Sequence, residues 1–174
     1  YVQMSLISGG VIVGKITALD IGISKVYIVL THGHWDHVSR TAELKEITGA
    51  PVLCHKEAVN NLRYGDDPPD TFIPVEPDIT IDSDFDLKPY GVNGKVICTP
   101  GHSDCSISVV LDSGEAFIGD MVLNSPFTGS PCLALLAADE SKLINSMKEL
   151  VRIAQVFYGG HGGLYSKEEI VKLI

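Results

Sequence analysis

Short apolar segments alternate along this chain with segments whose apolar residues recur every three or four positions. The first pattern is typical of strands and the second of amphipathic helices. Strands are predicted at residues 25–30, 51–54, 79–81, 95–99, 106–111, 115–118 and 156–158. Because strands and helices alternate rather than segregate, the pattern predicts an α/β fold.

Helical spacing is clearest at residues 141–154, where Leu143, Met147 and Leu150 share one face and Asp139 or Ser141 would cap the start. Other helices are predicted at residues 11–20, at 38–47, at 56–63 and after Ser166. The segments 64–77 and 122–131 lack either periodicity, so both are predicted to be loops.

Length and composition favour one globular domain over residues 1–174, because 174 residues with 45% hydrophobic content suffice for one well-buried core. A net charge of −9 and the absence of a Lys/Arg run argue against nucleic acid as a partner. The chain contains no run of about eighteen apolar residues, so no membrane span is predicted. Four cysteines without CxxC spacing indicate reduced thiols, hence a cytoplasmic protein.

The predicted strand at residues 25–30 runs directly into a dense group of polar side chains, His32, His34, Asp36 and His37. Burying several imidazoles beside a carboxylate is unfavourable unless a positive charge compensates them. Core packing gives no reason for such a sequence at a strand end. We therefore expect this segment to bind a divalent metal ion.

Three later strands each lead through a glycine to one further candidate ligand: His102, Asp120 and His161. Sites in open α/β sheets gather outside the carboxyl ends of strands, so these residues are expected to converge with the first group. The count fits two ions: His32, His34 and His102 on one, Asp36, His37 and His161 on the other, with Asp120 as the bridge. Zinc suits this nitrogen-rich set best, although iron and manganese also accept it.

The stretches Thr31–His37, Thr99–Ser103, Gly119–Asp120 and Gly160–His161 resemble the motifs of the metallo-β-lactamase superfamily. That resemblance implies an αββα sandwich, with two mixed sheets between outer helices. The family's seven ligand positions match His32, His34, Asp36, His37, His102, Asp120 and His161. The set is similar to that of glyoxalase II-like and lactonase-like members rather than that of a true β-lactamase.

The N-terminal part departs from the family pattern, since only Leu6–Gly9 could form the expected Asp-Thr-Gly-like turn, with Ser8 in place of aspartate. The first strands of the fold are therefore expected to be shortened or missing. Either one sheet is incomplete, or a partner chain covers its edge, as in a homo-oligomer.

The resemblance implies a metal-dependent hydrolase in which hydroxide bound between two metal ions attacks a small ester, thioester, lactone or phosphoester. Asp36 and Asp120 are the expected catalytic residues, with Asp36 also assisting proton transfer. Two alternatives stay open at this point. One is an iron-dependent oxidoreductase of the same fold, such as a diiron reductase or a persulfide dioxygenase, and the other is a metal-binding module without catalysis.

Three residues near these motifs favour structural roles, and a fourth, Trp35, does not. His55 is predicted to be structural or to support a ligand, Cys105 to be a small buried hydrophobe, and Asp104 to form a turn. Trp35 is equally consistent with a wall of the substrate mouth and with packing on the first helix.

Overall fold

The computed structural model describes residues 7–8, 11–12, 27–65, 72–161 and 163–174. It divides into two compact units, Tyr1–Ile81 and Asp82–Ile174. The single domain over residues 1–174 stays a prediction. Within the described segments, every helix is too short or too polar to serve as a transmembrane span.

The first unit begins with two short antiparallel strands, β1 (Ile7–Ser8) and β2 (Val11–Ile12). The helix predicted at residues 11–20 is wrong at its start, because Val11 and Ile12 pair in a strand; the rest of that prediction lies outside the described residues. Two adjacent β-branched side chains favour extended backbone, which explains the outcome. Ser8 likewise lies in a strand rather than in the expected turn.

A three-stranded parallel sheet forms the centre of the first unit, in the order β3 (Ile28–Val29), β4 (Val52–His55), β5 (Ile79–Ile81). All four residues of β4 are buried, as expected for the central strand of a parallel sheet that is covered on both faces. The carboxyl end of β3 leads directly to His32. Residues 25–26 of the predicted first strand lie outside the described segments.

Helices follow β3 and β4: α1 (Trp35–Val38), α2 (Thr41–Thr48) and, after a 3-10 turn at Lys56–Ala58, α3 (Val59–Tyr64). The single helix predicted at residues 38–47 is therefore wrong at its beginning. The backbone leaves the helical region at Arg40, with φ −103° and ψ 7°, so the polypeptide forms two short helices instead.

The second unit is built on a six-stranded sheet in the order β13–β12–β9–β8–β7–β6. Its strands are β6 (Phe85–Asp86), β7 (Gly94–Cys98), β8 (Ile107–Leu111), β9 (Glu115–Gly119), β12 (Val156–Gly159) and β13 (Leu164–Ser166). β12 runs parallel to β9, and β7 is related to β9 through two antiparallel pairings. The carboxyl ends of β7, β9 and β12 therefore lie at the same edge of this sheet.

Two helices pack in this unit, α4 (Glu140–Ile153) and α5 (Lys167–Val171). Asp139 caps α4, since its Oδ1 accepts the Lys142 N–H at 2.9 Å, which decides between the two predicted caps. The predicted apolar face of α4 is buried in the core beside Met121 and Phe157. The predicted cap at Ser166 is confirmed as a capping box with Glu169, and the Ser166 N–H lowers the pKa of that carboxyl group.

Residues 122–131, predicted to be a loop, instead contribute to an antiparallel hairpin of β10 (Val122–Asn124) and β11 (Pro131–Leu133). Strands of three residues are too short to show a period of two in sequence, which explains the error. The hairpin follows Asp120 directly, so it determines how the chain leaves the candidate site.

Candidate metal centre

The first unit brings three histidines together where β3 ends. His32 is 1% exposed, and its Nδ1 lies 3.2 Å from the Thr31 hydroxyl. The ring of His34 lies edge-on to His32 with centroids 4.7 Å apart, and the His37 ring lies 4.1 Å away. A buried imidazole surrounded by two others is an arrangement suited to metal coordination.

The short helix α1 positions the remaining two residues of the 32–37 segment. His34 keeps extended backbone, and its carbonyl accepts the His37 N–H at 3.0 Å, so the polypeptide turns into α1 directly after His34. Asp36 Oδ2 then lies 3.5 Å from His37 Nε2. The strand end thus presents His32 and His34, and the helix presents Asp36 and His37.

In the second unit, the turn that carries His102 is held against the start of α4. The carbonyls of Gly101 and His102 accept the N–H groups of Asp139 and Ala138 at 2.9 and 3.1 Å. Gly101 has φ +145°, and a Cβ placed there would lie 2.3 Å from the Cα of Leu143. Glycine is therefore required for this turn to lie so close to α4.

Asp120 and His161 follow the parallel strands β9 and β12. The Gly160 N–H donates to the Gly119 carbonyl at 2.7 Å, which joins the two strand ends next to both side chains. Asp120 Oδ2 lies 3.3 Å from His161 Nε2 and 4.0 Å from His102 Nε2. The Asp120 side chain is 9% exposed and the His161 side chain 36%, so the carboxylate is buried and the imidazole reaches the surface.

The chemistry of these donors fits divalent metal ions. The first unit contributes three imidazoles and one carboxylate, and the second contributes two imidazoles and one carboxylate. Nitrogen-rich sets with few carboxylates suit zinc, and iron or manganese also accept them. The structure brings the residues of each group together; their role as ligands stays a prediction.

Two of the residues predicted to be structural, His55 and Cys105, are buried. His55 is buried and caps the 3-10 turn, with its Nδ1 accepting the Glu57 N–H at 3.3 Å. Cys105 is buried beside the Ser103 hydroxyl. Asp104 forms an exposed ion pair with Lys142 at 3.2 Å, and Trp35 is 41% exposed on α1.

One residue close to these motifs carries no signal in the sequence. Tyr165 is buried in β13, and its hydroxyl donates to Asn124 Oδ1 at 3.1 Å and accepts the Gly163 N–H at 3.2 Å. Burial raises the pKa of this phenol, so its hydroxyl keeps its proton at neutral pH. A single aromatic residue in a strand is indistinguishable by sequence from an ordinary core residue.

Comparisons with known proteins agree with these motifs. The profile of the Metallo-beta-lactamase superfamily matches residues 17–161. A Methanocaldococcus jannaschii protein named "Probable metallo-hydrolase" is 29% identical, over 81% of this chain and 72% of its own length. A hydroxyacylglutathione hydrolase of Albidiferax ferrireducens is 30% identical over 69% of this chain. This chain spans only 45% of that second relative.

Solved structures show the same fold. A metallo-beta-lactamase superfamily protein from Sulfolobus tokodaii superposes with a TM-score of 0.66 and 24% identity, over 97% of this chain and 72% of its own. A second protein, solved in a di-iron-bound form, gives a TM-score of 0.63 and 24% identity, over 84% and 74%. The predicted fold class is confirmed by these likenesses.

Proposed function

Because this chain belongs to the metallo-β-lactamase superfamily, we propose that it is a hydrolase that uses two divalent metal ions. The observation that carries the proposal is the buried carboxylate of Asp120, which lies within 4.0 Å of imidazole nitrogens from two different strand ends. A carboxylate between imidazoles is the arrangement that a bridging ligand of a two-metal hydrolase requires.

The proposal assigns each candidate ligand to an ion. His32, His34 and His102 would hold one ion, Asp36, His37 and His161 would hold the other, and Asp120 would contribute its carboxylate to both. All seven residues lie within the stretch that the family profile matches, residues 17–161. The nitrogen-rich donor set favours zinc, so we propose zinc as the resident metal.

Divalent ions held by these residues would lower the pKa of water enough to provide a nucleophile at neutral pH. The backbone turns at His34 and His102, which hydrogen bonds hold in place, orient the candidate ligands. Asp36 has the more exposed of the two carboxylates, at 22% against 9% for Asp120. Asp36 can therefore exchange a proton with solvent, whereas the buried Asp120 keeps its charge at a fixed place.

The proposed substrate is a small molecule with a hydrolysable acyl group, namely an ester, thioester or lactone, with phosphoesters as the less favoured class. One relative is named hydroxyacylglutathione hydrolase, a name that describes removal of an acyl group carried on glutathione. Support for a small substrate also comes from the net charge of −9, because an acidic chain is poorly suited to nucleic acid.

A substrate panel tests the proposed reaction. We expect zinc-loaded protein to hydrolyse an aryl ester, an acyl thioester and a lactone faster than a phosphodiester. Chelation should remove this activity, and added zinc should restore it, because the hydroxide depends on the ions. The measurement is kcat/KM for each substrate before chelation, after chelation and after zinc is returned. Zinc-loaded protein that turns over no member of the panel would reject the proposed reaction.

An iron-dependent oxidoreductase is the second candidate, and the di-iron-bound relative is the observation that favours it. Metal analysis of purified protein together with an absorption spectrum distinguishes the two, since iron bound to these donors absorbs visible light and zinc does not. A chain that binds metal tightly but hydrolyses nothing and carries no iron would instead be a binding module.

We also propose a cytoplasmic location. All four cysteines are free thiols, and Cys54 and Cys105 are buried. Free thiols of this kind are typical of a reducing compartment, whereas oxidising compartments favour disulfides.

A further inference from the structure

The hydroxyl group of Tyr165 connects the strand that follows Asp120 to the turn that carries His161. It donates a hydrogen bond to Oδ1 of Asn124, the last residue of β10, at 3.1 Å. It also accepts the N–H of Gly163, two residues after His161, at 3.2 Å. Both partners lie in the second unit, and the Tyr165 side chain between them is 2% exposed.

The turn around His161 is held at both of its ends. On one side, the Gly160 N–H donates to the Gly119 carbonyl at 2.7 Å, directly before Asp120. On the other side, the Gly159 N–H donates to the Gly163 carbonyl at 3.2 Å, and Gly163 is in turn bound to Tyr165. Tyr165 thus contributes a side chain to hydrogen bonds that otherwise join backbone groups.

The Tyr165 ring is also packed too closely for the turn to shift. A Cβ on Gly159 would lie 2.6 Å from the carbonyl oxygen of Val122 and 3.0 Å from Cε2 of Tyr165. β10, β12 and the tyrosine ring thus meet at van der Waals distance beside the two candidate ligands. Glycine at position 159 allows β10 and the tyrosine ring to lie this close to β12. The Tyr165 hydroxyl then orients the ring through its two hydrogen bonds.

We propose that Tyr165 is a positioning residue for the metal ligand His161, a role that rests on the proposed function. Its hydroxyl holds the His161 turn at a fixed distance from β10, and so keeps His161 Nε2 3.3 Å from the carboxylate of Asp120. Removing a residue that orients a metal ligand typically lowers metal affinity 10- to 100-fold. Tyr165 is not one of the proposed ligands, so its effect acts through His161.

Zinc binding by the Tyr165→Phe variant tests this role. The substitution removes the hydroxyl and keeps the buried ring, so the core stays filled. We expect one of two zinc equivalents to bind roughly 10- to 100-fold more weakly, while the other is unchanged. The measurement is a competition titration of Zn²⁺ against a chromogenic chelator, combined with thermal unfolding of the metal-free protein.

Tyr158→Phe is the matched control, because Tyr158 lies in the neighbouring strand β12 and stacks on Phe117 at 4.8 Å. It should bind both zinc equivalents with unchanged affinity. Asn124→Ala removes the hydroxyl's acceptor and should weaken the same equivalent. The double variant should bind zinc no more weakly than the more affected single variant, since both substitutions break the same hydrogen bond.

Wild-type zinc affinity in Tyr165→Phe would overturn the inference, even if the metal-free variant unfolds at a lower temperature, because a merely structural role would lower stability alone. Equal weakening of both zinc equivalents would also overturn it. A wild-type chain that binds no zinc would overturn this inference together with the proposed function. The two failures are therefore distinguishable by the wild-type titration.

Discussion

Replacing Asp120 by asparagine should lower hydrolysis by on the order of 10³-fold, which corresponds to about 4 kcal/mol of transition-state stabilisation. The amide keeps the shape of the side chain and removes its charge. Asp120 Oδ2 lies 3.3 Å from His161 and 4.0 Å from His102, so the substitution affects both proposed ion positions at once. We also expect the variant to retain fewer zinc equivalents after dialysis.

The measurement for Asp120→Asn is kcat/KM on the best substrate of the panel, with zinc content determined on the same sample. Asp104→Asn is the matched control, since Asp104 lies two residues from His102 but its side chain is 74% exposed and pairs with Lys142. Exposed pairs of this kind contribute little, so the control should keep its activity and zinc. Equal turnover by Asp120→Asn and the wild type would show that this carboxylate is not part of the reaction.

Replacing Gly101 by alanine should destabilise the fold by about 3 kcal/mol or more, the largest stability effect that we expect from a one-carbon change. The added Cβ would lie 2.3 Å from both the backbone nitrogen and the Cα of Leu143, at a φ of +145°. Backbone atoms of a helix cannot move aside as a flexible side chain can. The His102 turn and the start of α4 must therefore separate.

Urea unfolding of Gly101→Ala gives the loss of stability, and zinc titration shows whether the displaced His102 turn still binds. Gly129→Ala distinguishes backbone strain from the steric clash with Leu143. Gly129 also has positive φ, +71°, but nothing lies within 4 Å of an added Cβ. That control should cost only about 1–2 kcal/mol from backbone strain. Similar losses in the two variants would show that the contact with Leu143 is not the cause.

The candidate ligands could be predicted because their signals are local in sequence. His32, His34, Asp36 and His37 are contiguous with one strand, and Asp120 directly follows a strand and a glycine. The sheet then brings Asp120 and His161 together, since the parallel strands β9 and β12 end at the same edge. Strand ends and glycines therefore sufficed for this part of the site.

The features that the sequence could not predict depend on contacts between distant residues or on very short elements. The bond from Tyr165 to Asn124 joins residues 41 positions apart, and neither residue type signals it. The β10–β11 hairpin has strands of three residues, too few for a periodic pattern. The break between α1 and α2 at Arg40 reflects backbone geometry rather than a glycine or proline.

Zinc stoichiometry of the wild-type chain, measured together with activity, tests the central claim most directly. Metal-free protein is titrated with Zn²⁺, and hydrolysis of the best panel substrate is followed at each addition. Two equivalents should bind per chain, and activity should reach its maximum only when the second is bound. Full activity in the metal-free chain, or a maximum reached at one equivalent, would contradict it.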